Sequence, residues 1–303
     1  MKLKVLVGPS TFGELDSRPI EVLREGGCEV IPNPYRRKLT KQELIALLPG
    51  VAGLIAGLEI VDRDVMENSQ LKVISRCGSG ISNVDVRAAD ELGISFYYTP
   101  NGPTEAVAEL TMGMMICLLR KAHVMDLGLK DKKWEKRIGH QLQGKKVLIV
   151  GYGRIGRRLA ELLRPFEVEI LAVDPALEHE LEDVQVTSLE EALSNADVIS
   201  IHASGEKRIL GEEAFCLLKP GVFICNAARG GLVDEALLKK GLESGLVAGA
   251  WLDCFNEEPY SGPLCDAPNV ILTPHVGSYA REGRMNMEIE AARNLLRGLL
   301  QNG

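Results

Sequence analysis

The chain has 303 residues, of which 46% are hydrophobic and 25% charged, so we expect two globular domains and exclude a mainly disordered chain. Thirty-five Lys and Arg residues against 42 Asp and Glu residues give a formal net charge of -7. This charge provides no overall basic field for binding nucleic acid or an anionic membrane.

The first hundred residues alternate short β-branched runs with helical patterns. Five strands are predicted there, at Leu3–Val7, Glu29–Ile31, Gly53–Ala56, Leu71–Arg76 and Ile94–Tyr98. The longest apolar segment follows, from Ala106 to Leu119. It predicts a buried helix with Thr104 as its N-cap, because it is apolar on nearly all sides but too short and too polar for a membrane span.

A second series of strands and helices begins near residue 145. Its predicted strands are Lys145–Val150, Glu169–Val173, Val198–Ile201, Val222–Asn226, Val247–Leu252 and Val270–Thr273. The tail from Ser278 to Leu300 predicts an amphipathic helix. Continuous apolar strands between helices are typical of parallel sheets covered on both faces. The chain is therefore predicted to be α/β, with two doubly wound parallel-sheet domains.

The cysteines and histidines argue against a disulfide framework and a metal site. The chain has seven cysteines in no CxxC pair, and five histidines without a metal-ligand spacing such as HExxH. Reduced thiols and the lack of a signal-peptide pattern favour a cytoplasmic protein. We expect no bound metal.

The most specific motif is GYGRIG, which provides Gly151, Gly153 and Gly156. It follows the strand KKVLIV and opens a helical pattern, and Asp174 stands 18 residues after Gly156, behind the next predicted strand. Such glycines permit a tight turn, close approach of a pyrophosphate, and close packing of helix on strand. Asp174 can accept hydrogen bonds from a ribose and would repel a 2′-phosphate, so the motif favours NAD over NADP.

Three further segments follow predicted strands in the same half of the chain. NAARGGLVDE contains Arg229, WLDCFNEEP contains Glu258 and TPHVGS contains His275. The carboxyl ends of parallel strands meet at one edge of a sheet, so we expect these three side chains to converge. A guanidinium for a carboxylate, an imidazole for a proton and an acid to orient the imidazole suit hydride transfer beside a carboxylate. Taken singly, each residue also has an ordinary structural explanation.

These motifs, together with LKVISRCGSGISNVD and TPNGPTEAVAELTMGMM, resemble the D-2-hydroxyacid dehydrogenase family, and most closely its D-3-phosphoglycerate dehydrogenase branch. The resemblance covers nearly the whole chain. It implies that Arg229, Glu258 and His275 are catalytic, and that Asp253 contacts the nicotinamide. The cofactor residues it implies are Gly151, Gly153, Arg154, Ile155, Gly156, Asp174, Ala203, Ala227, Ala228, Arg229, Asp253, His275 and Gly277. Those for the substrate carboxylate are Arg229 and the backbone N–H groups of Cys77, Gly78, Ser79 and Gly80.

The resemblance also implies the domain order. A flavodoxin-like substrate domain, formed by residues 1–99 and 280–303, would be interrupted by a Rossmann NAD-binding domain at residues 100–279. Members of this family are usually homodimers through the cofactor domain, which would suit the apolar helix 106–119.

The sequence departs from the family pattern at three places, and the third leaves the substrate open. The loop from His202 to Arg208 is short and lacks a proline, and Pro103-Thr104 replaces a more usual Asn-Ser or Asn-Thr. Gly57-Leu58-Glu59 stands where some phosphoglycerate dehydrogenases have a phosphate-binding Arg, and Arg36, Arg37 or Arg76 would have to compensate. Phosphoglycerate is the leading substrate, with glyoxylate, hydroxypyruvate and other small 2-keto acids as alternatives. A non-catalytic NAD-sensing protein, like the corepressors that resemble this family, is the alternative of another class.

Overall fold

The computed structural model describes residues 2–177, 181, 183–205, 207–267 and 269–301. The chain divides into two compact units. The first contains the residues up to Pro103 and those from Ser278 onward, and the second is Thr104–Gly277. Within the described residues, no helix is both long and apolar enough to cross a membrane.

The first unit contains a five-stranded sheet, four short helices and the last helix of the chain. Its strands are β1 (Leu3–Val7), β2 (Cys28–Pro32), β3 (Val51–Ala56), β4 (Val73–Arg76) and β5 (Ser95–Tyr98). Its helices are α1 (Arg18–Glu25), α2 (Lys41–Leu47), α3 (Arg63–Glu67), α4 (Val86–Glu91) and α11 (Arg281–Gln301).

All strand pairs of this sheet are parallel, in the order β2-β1-β3-β4-β5. That order is the flavodoxin-like one. Several helices begin where a side chain caps the first turn, as Asp62 does for α3 and Asp85 for α4. The helix α11 buries Met287, Ala291 and Leu295 in the core of this unit, which explains why the chain's end belongs to it.

The second unit contains a seven-stranded sheet. Its strands are β6 (Lys146–Val150), β7 (Glu169–Val173), β8 (Gln185–Val186), β9 (Val198–Ile201), β10 (Val222–Asn226), β11 (Val247–Leu252) and β12 (Val270–Leu272). Its α-helices are α5 (Thr104–Leu119), α6 (Ala122–Lys130), α7 (Arg154–Leu163), α8 (Leu189–Asn195), α9 (Glu212–Leu217) and α10 (Glu235–Ser244).

This sheet is also parallel, in the order β12-β11-β10-β9-β6-β7-β8. Renumbered within the unit, the order is that of the Rossmann fold extended by one strand, with the topological switch between β6 and β9. The predicted fold class, two doubly wound parallel sheets, is confirmed.

Two local details differ from the sequence prediction. The two-residue strand β8 was not predicted, because so short an edge strand leaves no hydrophobic pattern to read. Thr104 is the first residue of α5 rather than its cap, and its buried hydroxyl has no hydrogen-bond partner among the described residues. The expected burial of α5 is present on the face that packs against α7 and the sheet, where Ala108, Met115 and Leu119 join the core.

Candidate active site

The glycine motif forms the turn between β6 and α7. Gly151 has a φ of 92°, and a Cβ there would lie 2.4 Å from the backbone nitrogen of Ala203. A Cβ on Gly156 would lie 2.3 Å from the Gly151 oxygen. Gly153, by contrast, has no atom within 4 Å of that position. The first and third glycines are therefore required by packing, while the second leaves the outer side of the turn open.

Asp174 lies beside this turn, directly after β7. Its carboxylate accepts the backbone N–H groups of Tyr152, at 2.7 Å, and Ala176, at 2.9 Å. The N-terminus of α7 provides N–H groups of the kind that bind phosphate. An open glycine turn, a helix N-terminus and an anchored carboxylate fit the pyrophosphate and ribose of a dinucleotide. On these features of the chain itself, the residues present fit NAD.

The other predicted cofactor residues lie after the carboxyl ends of neighbouring strands in the same sheet. Ala203 follows β9, and Ala227 and Ala228 follow β10. Asp253 follows β11, and His275 and Gly277 follow β12. Arg154 is exposed and Ile155 half-buried at the start of α7. Glu206, in the shortened loop after β9, and His179 lie outside the described residues.

Asp253 is buried and fixes the loop that contains His275. One oxygen accepts the Thr273 hydroxyl and the Val276 N–H, and the other accepts the Gly277 N–H at 2.7 Å. Thr273 in turn accepts the indole N–H of the fully buried Trp251 at 3.0 Å. The contacts of Asp253 in this structure are therefore those of a loop anchor. The contact with nicotinamide that the resemblance implies stays a prediction.

His275 and Glu258 form a hydrogen-bonded ion pair. The imidazole Nδ1 lies 3.0 Å and 3.1 Å from the two carboxylate oxygens. His275 adopts a φ of 55°, in the left-handed region that a non-glycine residue seldom occupies and that is enriched at functional sites. Hydrogen bonds with the Cys254 side chain and with Glu258 raise the pKa of His275 to about 10. The imidazole is thus held as a cation at neutral pH.

His202, which follows β9 in the same sheet, shows the opposite behaviour. Its Nε2 pairs with the Ser200 hydroxyl at 2.8 Å, and its buried Nδ1 has no partner among the described residues. Burial lowers the pKa of His202 to about 4, because a charged ring would lose its hydration there. Of these two histidines, only His275 carries a proton that it can give up near a solvent-accessible surface.

Arg229 is held by the loop that follows β10. The fully buried Asn226 donates to the Arg229 carbonyl at 2.8 Å and accepts the Ala228 N–H at 3.1 Å. The guanidinium donates to the Ala228 carbonyl, and no carboxylate within the described ranges forms an ion pair with it. Its charge remains available for an anion.

Gly230 joins this loop to the segment that contains Glu258. A Cβ on Gly230 would lie 1.9 Å from the carbonyl carbon of Phe255, so only glycine allows the two backbones to approach so closely. The Phe255 N–H in turn donates to Glu258 at 3.2 Å. The predicted catalytic side chains are therefore connected through backbone contacts between adjacent loops.

The predicted carboxylate-binding turn, Cys77 to Gly80, belongs to the first unit. Two of its N–H groups are already used, because Cys77 donates to the Ala56 carbonyl and Gly78 to the Thr99 hydroxyl. Those of Ser79 and Gly80 have no hydrogen-bond partner among the residues that the structure describes. The buried Arg76 folds beneath Gly78 and donates to the Cys77 carbonyl, which places a positive charge under the turn.

The loop after β3 contains an acidic side chain at the position where the resemblance leads one to look for a phosphate-binding arginine. Glu59 is 1% exposed and accepts the Gly57 N–H at 2.8 Å, and burial raises its pKa. Arg37, one of the cations that could compensate, is paired with Glu43 on the surface. Of the three arginines considered for phosphate, Arg76 is the one that is buried beside the predicted carboxylate turn.

Cys254 and Asn226 were not identified as site residues from the sequence. Cys254 is 2% exposed, and its sulfur lies against the His275 imidazole. Both residues stand within the motifs WLDCFNEEP and NAARGG, but no spacing rule singles them out. Only the folded loops show that one contacts the imidazole and the other fixes the Arg229 backbone.

Comparison with known proteins places this geometry in a family. Residues 112–277 match the model described as "D-isomer specific 2-hydroxyacid dehydrogenase, NAD binding domain". The chain is 38% identical over 300 residues to a D-3-phosphoglycerate dehydrogenase of Sus scrofa, covering 95% of this chain and 55% of that protein. It thus spans about half the length of the curated relatives it first matches.

Two further proteins are matched over nearly their full length. A hydroxypyruvate reductase of Thermotoga maritima is 35% identical over 272 residues, which cover 86% of this chain and 89% of that protein. The solved structure of the TT0316 protein of Thermus thermophilus superposes with a TM-score of 0.89 and 34% identity, covering 99% of this chain and 97% of that one. NAD as the cofactor, predicted from the glycine motif and Asp174, is confirmed by the family model. The chain belongs to the D-isomer specific 2-hydroxyacid dehydrogenase family.

Proposed function

We propose that the protein is an NAD-dependent oxidoreductase that interconverts a small D-2-hydroxy acid and its 2-keto acid. The observation that carries the proposal is the His275–Glu258 ion pair, held at 3.0 Å on a strained loop in a sheet that also presents Arg229 and a dinucleotide turn. An imidazole that holds a proton is what reduction of a carbonyl requires.

Each side chain has a separate task. His275 donates its proton to the carbonyl oxygen during reduction and accepts it from the hydroxyl during oxidation. Glu258 orients the imidazole and stabilises its charged form. Arg229 binds the substrate carboxylate through two charge-assisted hydrogen bonds. NAD, when bound, supplies the hydride acceptor or donor, and Gly151, Gly153, Gly156 and Asp174 would hold it.

We assign the second unit to the cofactor and the first to the substrate. In the first unit, the free N–H groups of Ser79 and Gly80 above Arg76 form an anion-binding turn suited to a carboxylate. The predicted carboxylate-binding turn, Cys77–Gly80, is thereby restricted to the N–H groups of its last two residues. Those of the first two already donate to groups of the same unit.

Two classes of substrate, phosphorylated and unphosphorylated acids, are the first to test. The D-3-phosphoglycerate dehydrogenase relatives favour 3-phosphoglycerate. The buried Glu59 and the match to most of a hydroxypyruvate reductase favour an unphosphorylated acid. Steady-state rates with NAD on 3-phosphoglycerate and on glycerate, and with NADH on hydroxypyruvate and glyoxylate, decide between them. No turnover on any of them, with NADH binding intact, would contradict the proposed activity.

The pH dependence provides a test of the ion pair. Glu258→Gln removes an opposite charge from His275, so we expect the pKa of His275 to fall from about 10 by roughly one unit or more. Reduction needs the imidazolium, which exists below that pKa, so the alkaline limb of the reduction profile should move to lower pH. Oxidation needs the neutral ring and should be impaired less at pH 8 to 9.

The matched control is Glu257→Gln, the exposed neighbour in the same loop. It removes the same charge one residue away, and its pH profile should coincide with that of the unmodified protein. If both variants shift the profile equally, the effect is one of general charge, and the assigned pairing is wrong.

We also propose that the protein is a homodimer through its cofactor unit. The helix α6 has no buried residue, and its Leu127 is 61% exposed. Trp134 and Ile138, just beyond it, are 81% and 93% exposed. A helix that buries no residue and exposes this much apolar surface is only marginally stable in water. Packing against a second copy of this chain buries that surface. The most exposed apolar side chains of this region therefore lie beyond α5, although α5 was the helix expected to form the dimer interface.

Light scattering after gel filtration tests this assembly. The unmodified chain should elute as a dimer, and the double variant Trp134→Glu with Ile138→Glu should elute as a monomer. Leu300→Glu, at an equally exposed leucine of the other unit, should not change the mass. If the unmodified protein is a monomer at micromolar concentration, the proposed dimer is wrong, whereas the proposed activity is not affected.

A further inference from the structure

Cys254, which has no role in the proposed reaction, completes a cluster of possible metal ligands around His275. The Cys254 sulfur, a Glu258 oxygen and a His275 nitrogen all lie within 4.8 Å of one another. Cys254 is 2% exposed, whereas the Glu258 and His275 side chains are 36% and 34% exposed. The cluster therefore has a closed side formed by sulfur and an open side that solvent reaches.

Thiolate, imidazole and carboxylate together are the donor types that zinc selects in proteins. Around a tetrahedral zinc ion, neighbouring ligand atoms are separated by about 3.3–3.7 Å, given zinc–ligand distances of about 2.0–2.3 Å. The imidazole nitrogen and the carboxylate are already 3.0 Å apart. The Cys254 sulfur lies within 4.8 Å of both, so a shift of about 1 Å brings it to the spacing of a zinc ligand.

The charges also favour such an ion. One thiolate and one carboxylate neutralise a divalent cation, with the imidazole as a neutral third ligand. The sulfur disfavours magnesium and calcium, which prefer oxygen ligands. The open side leaves the fourth coordination position for water.

We propose that Cys254, Glu258 and His275 form an inhibitory site for a thiophilic divalent cation, with zinc as the best match. Binding displaces the thiol proton of Cys254 and the proton held between His275 and Glu258, and forms bonds from the metal to sulfur, nitrogen and oxygen. The metal-bound imidazole is neutral and keeps only the proton on its other nitrogen, which is a far weaker acid than an imidazolium proton. An occupied site therefore lacks the acid that reduction uses. The metal site rests on donor geometry alone, whereas its inhibitory effect rests on the proposed function.

Cobalt titration of the purified, chelator-treated full-length protein tests the metal site directly. Because Co²⁺ bound to a thiolate gives a charge-transfer absorption, we expect one equivalent of this absorption per chain, which stoichiometric Zn²⁺ abolishes. Cys254→Ala should lose the absorption and weaken zinc binding at least about 100-fold. The matched control is Cys216→Ala, at an exposed cysteine on α9, which should retain both.

A second variant keeps the test decisive if Cys254→Ala does not fold. His275→Asn leaves the sulfur in place and should weaken zinc binding about tenfold or more in calorimetry. Absence of the cobalt absorption in the unmodified protein, or its persistence in a folded Cys254→Ala variant, would overturn the site.

Activity assays separate the proposed metal site from its proposed inhibitory effect. Zinc at one equivalent should abolish NADH-dependent reduction, and a chelator should restore it. Zinc bound at Cys254 without inhibition would leave the metal site standing and refute both its inhibitory role and the assignment of His275 as the proton donor.

Discussion

Replacing His275 by Asn is expected to lower kcat by about 10³-fold in both directions, within the range that general acid–base catalysis contributes. The asparagine keeps a polar side chain on the strained turn, where φ is 55°, and asparagine tolerates that conformation better than most residues. The variant therefore removes the proposed proton donor without forcing the loop to rearrange. Steady-state kinetics with NADH and the best 2-keto acid from the substrate panel give the measurement.

Cofactor binding provides the control for this variant. His275 is followed by a loop anchored to Asp253 through Val276 and Gly277, and those bonds do not involve the imidazole. Quenching of NADH fluorescence should therefore give a Kd within about threefold of that of the unmodified protein. Turnover reduced by less than tenfold, with NADH binding intact, would show that another group provides the proton.

The fold could be read from the sequence because each domain repeats a regular pattern. Runs such as KVLIV and VFICN are continuously apolar, since both faces of their parallel strands are covered. The glycine motif could be interpreted because a strand preceded it and Asp174 followed the next strand. What escaped prediction was local: a two-residue edge strand has no periodicity, and Thr104 satisfies the rule for a cap but begins the helix itself.

From the sequence, the site could be predicted only to the extent that the order of the strands shows which loops lie close together. Arg229, Glu258 and His275 follow successive parallel strands, so the sheet edge brings their loops together. Cys254 lies beside the imidazole of His275, although the two residues are 21 positions apart in the sequence. Nothing in the sequence distinguishes it from the six other cysteines. The use of the Cys77 and Gly78 amides by Ala56 and Thr99 is likewise a tertiary contact that the glycine pattern does not encode.

Arg229→Ala is expected to lower kcat/KM by about 10³-fold, with most of the loss in KM. The guanidinium of Arg229 has no carboxylate partner within the described part of the chain, so its removal leaves no buried charge unpaired in the free protein. Two charge-assisted hydrogen bonds to a substrate carboxylate contribute about 1.5–3 kcal/mol each. Thermal unfolding should therefore change little while substrate binding is lost.

The lysine variant sharpens this test, because lysine keeps the charge but not the planar fork of donors. Arg229→Lys should recover part of the loss, to about 10- to 100-fold below the unmodified protein. Arg87→Lys, on an exposed helix where the guanidinium pairs with Glu91, should leave kcat/KM unchanged. A substrate amide in place of the carboxylate should bind the unmodified protein poorly and be little affected by Arg229→Ala, since the interaction that this residue provides is then already absent. An equal 10³-fold loss on the amide would mean that Arg229 acts on the loop that holds Gly230 against Phe255, and not on the carboxylate.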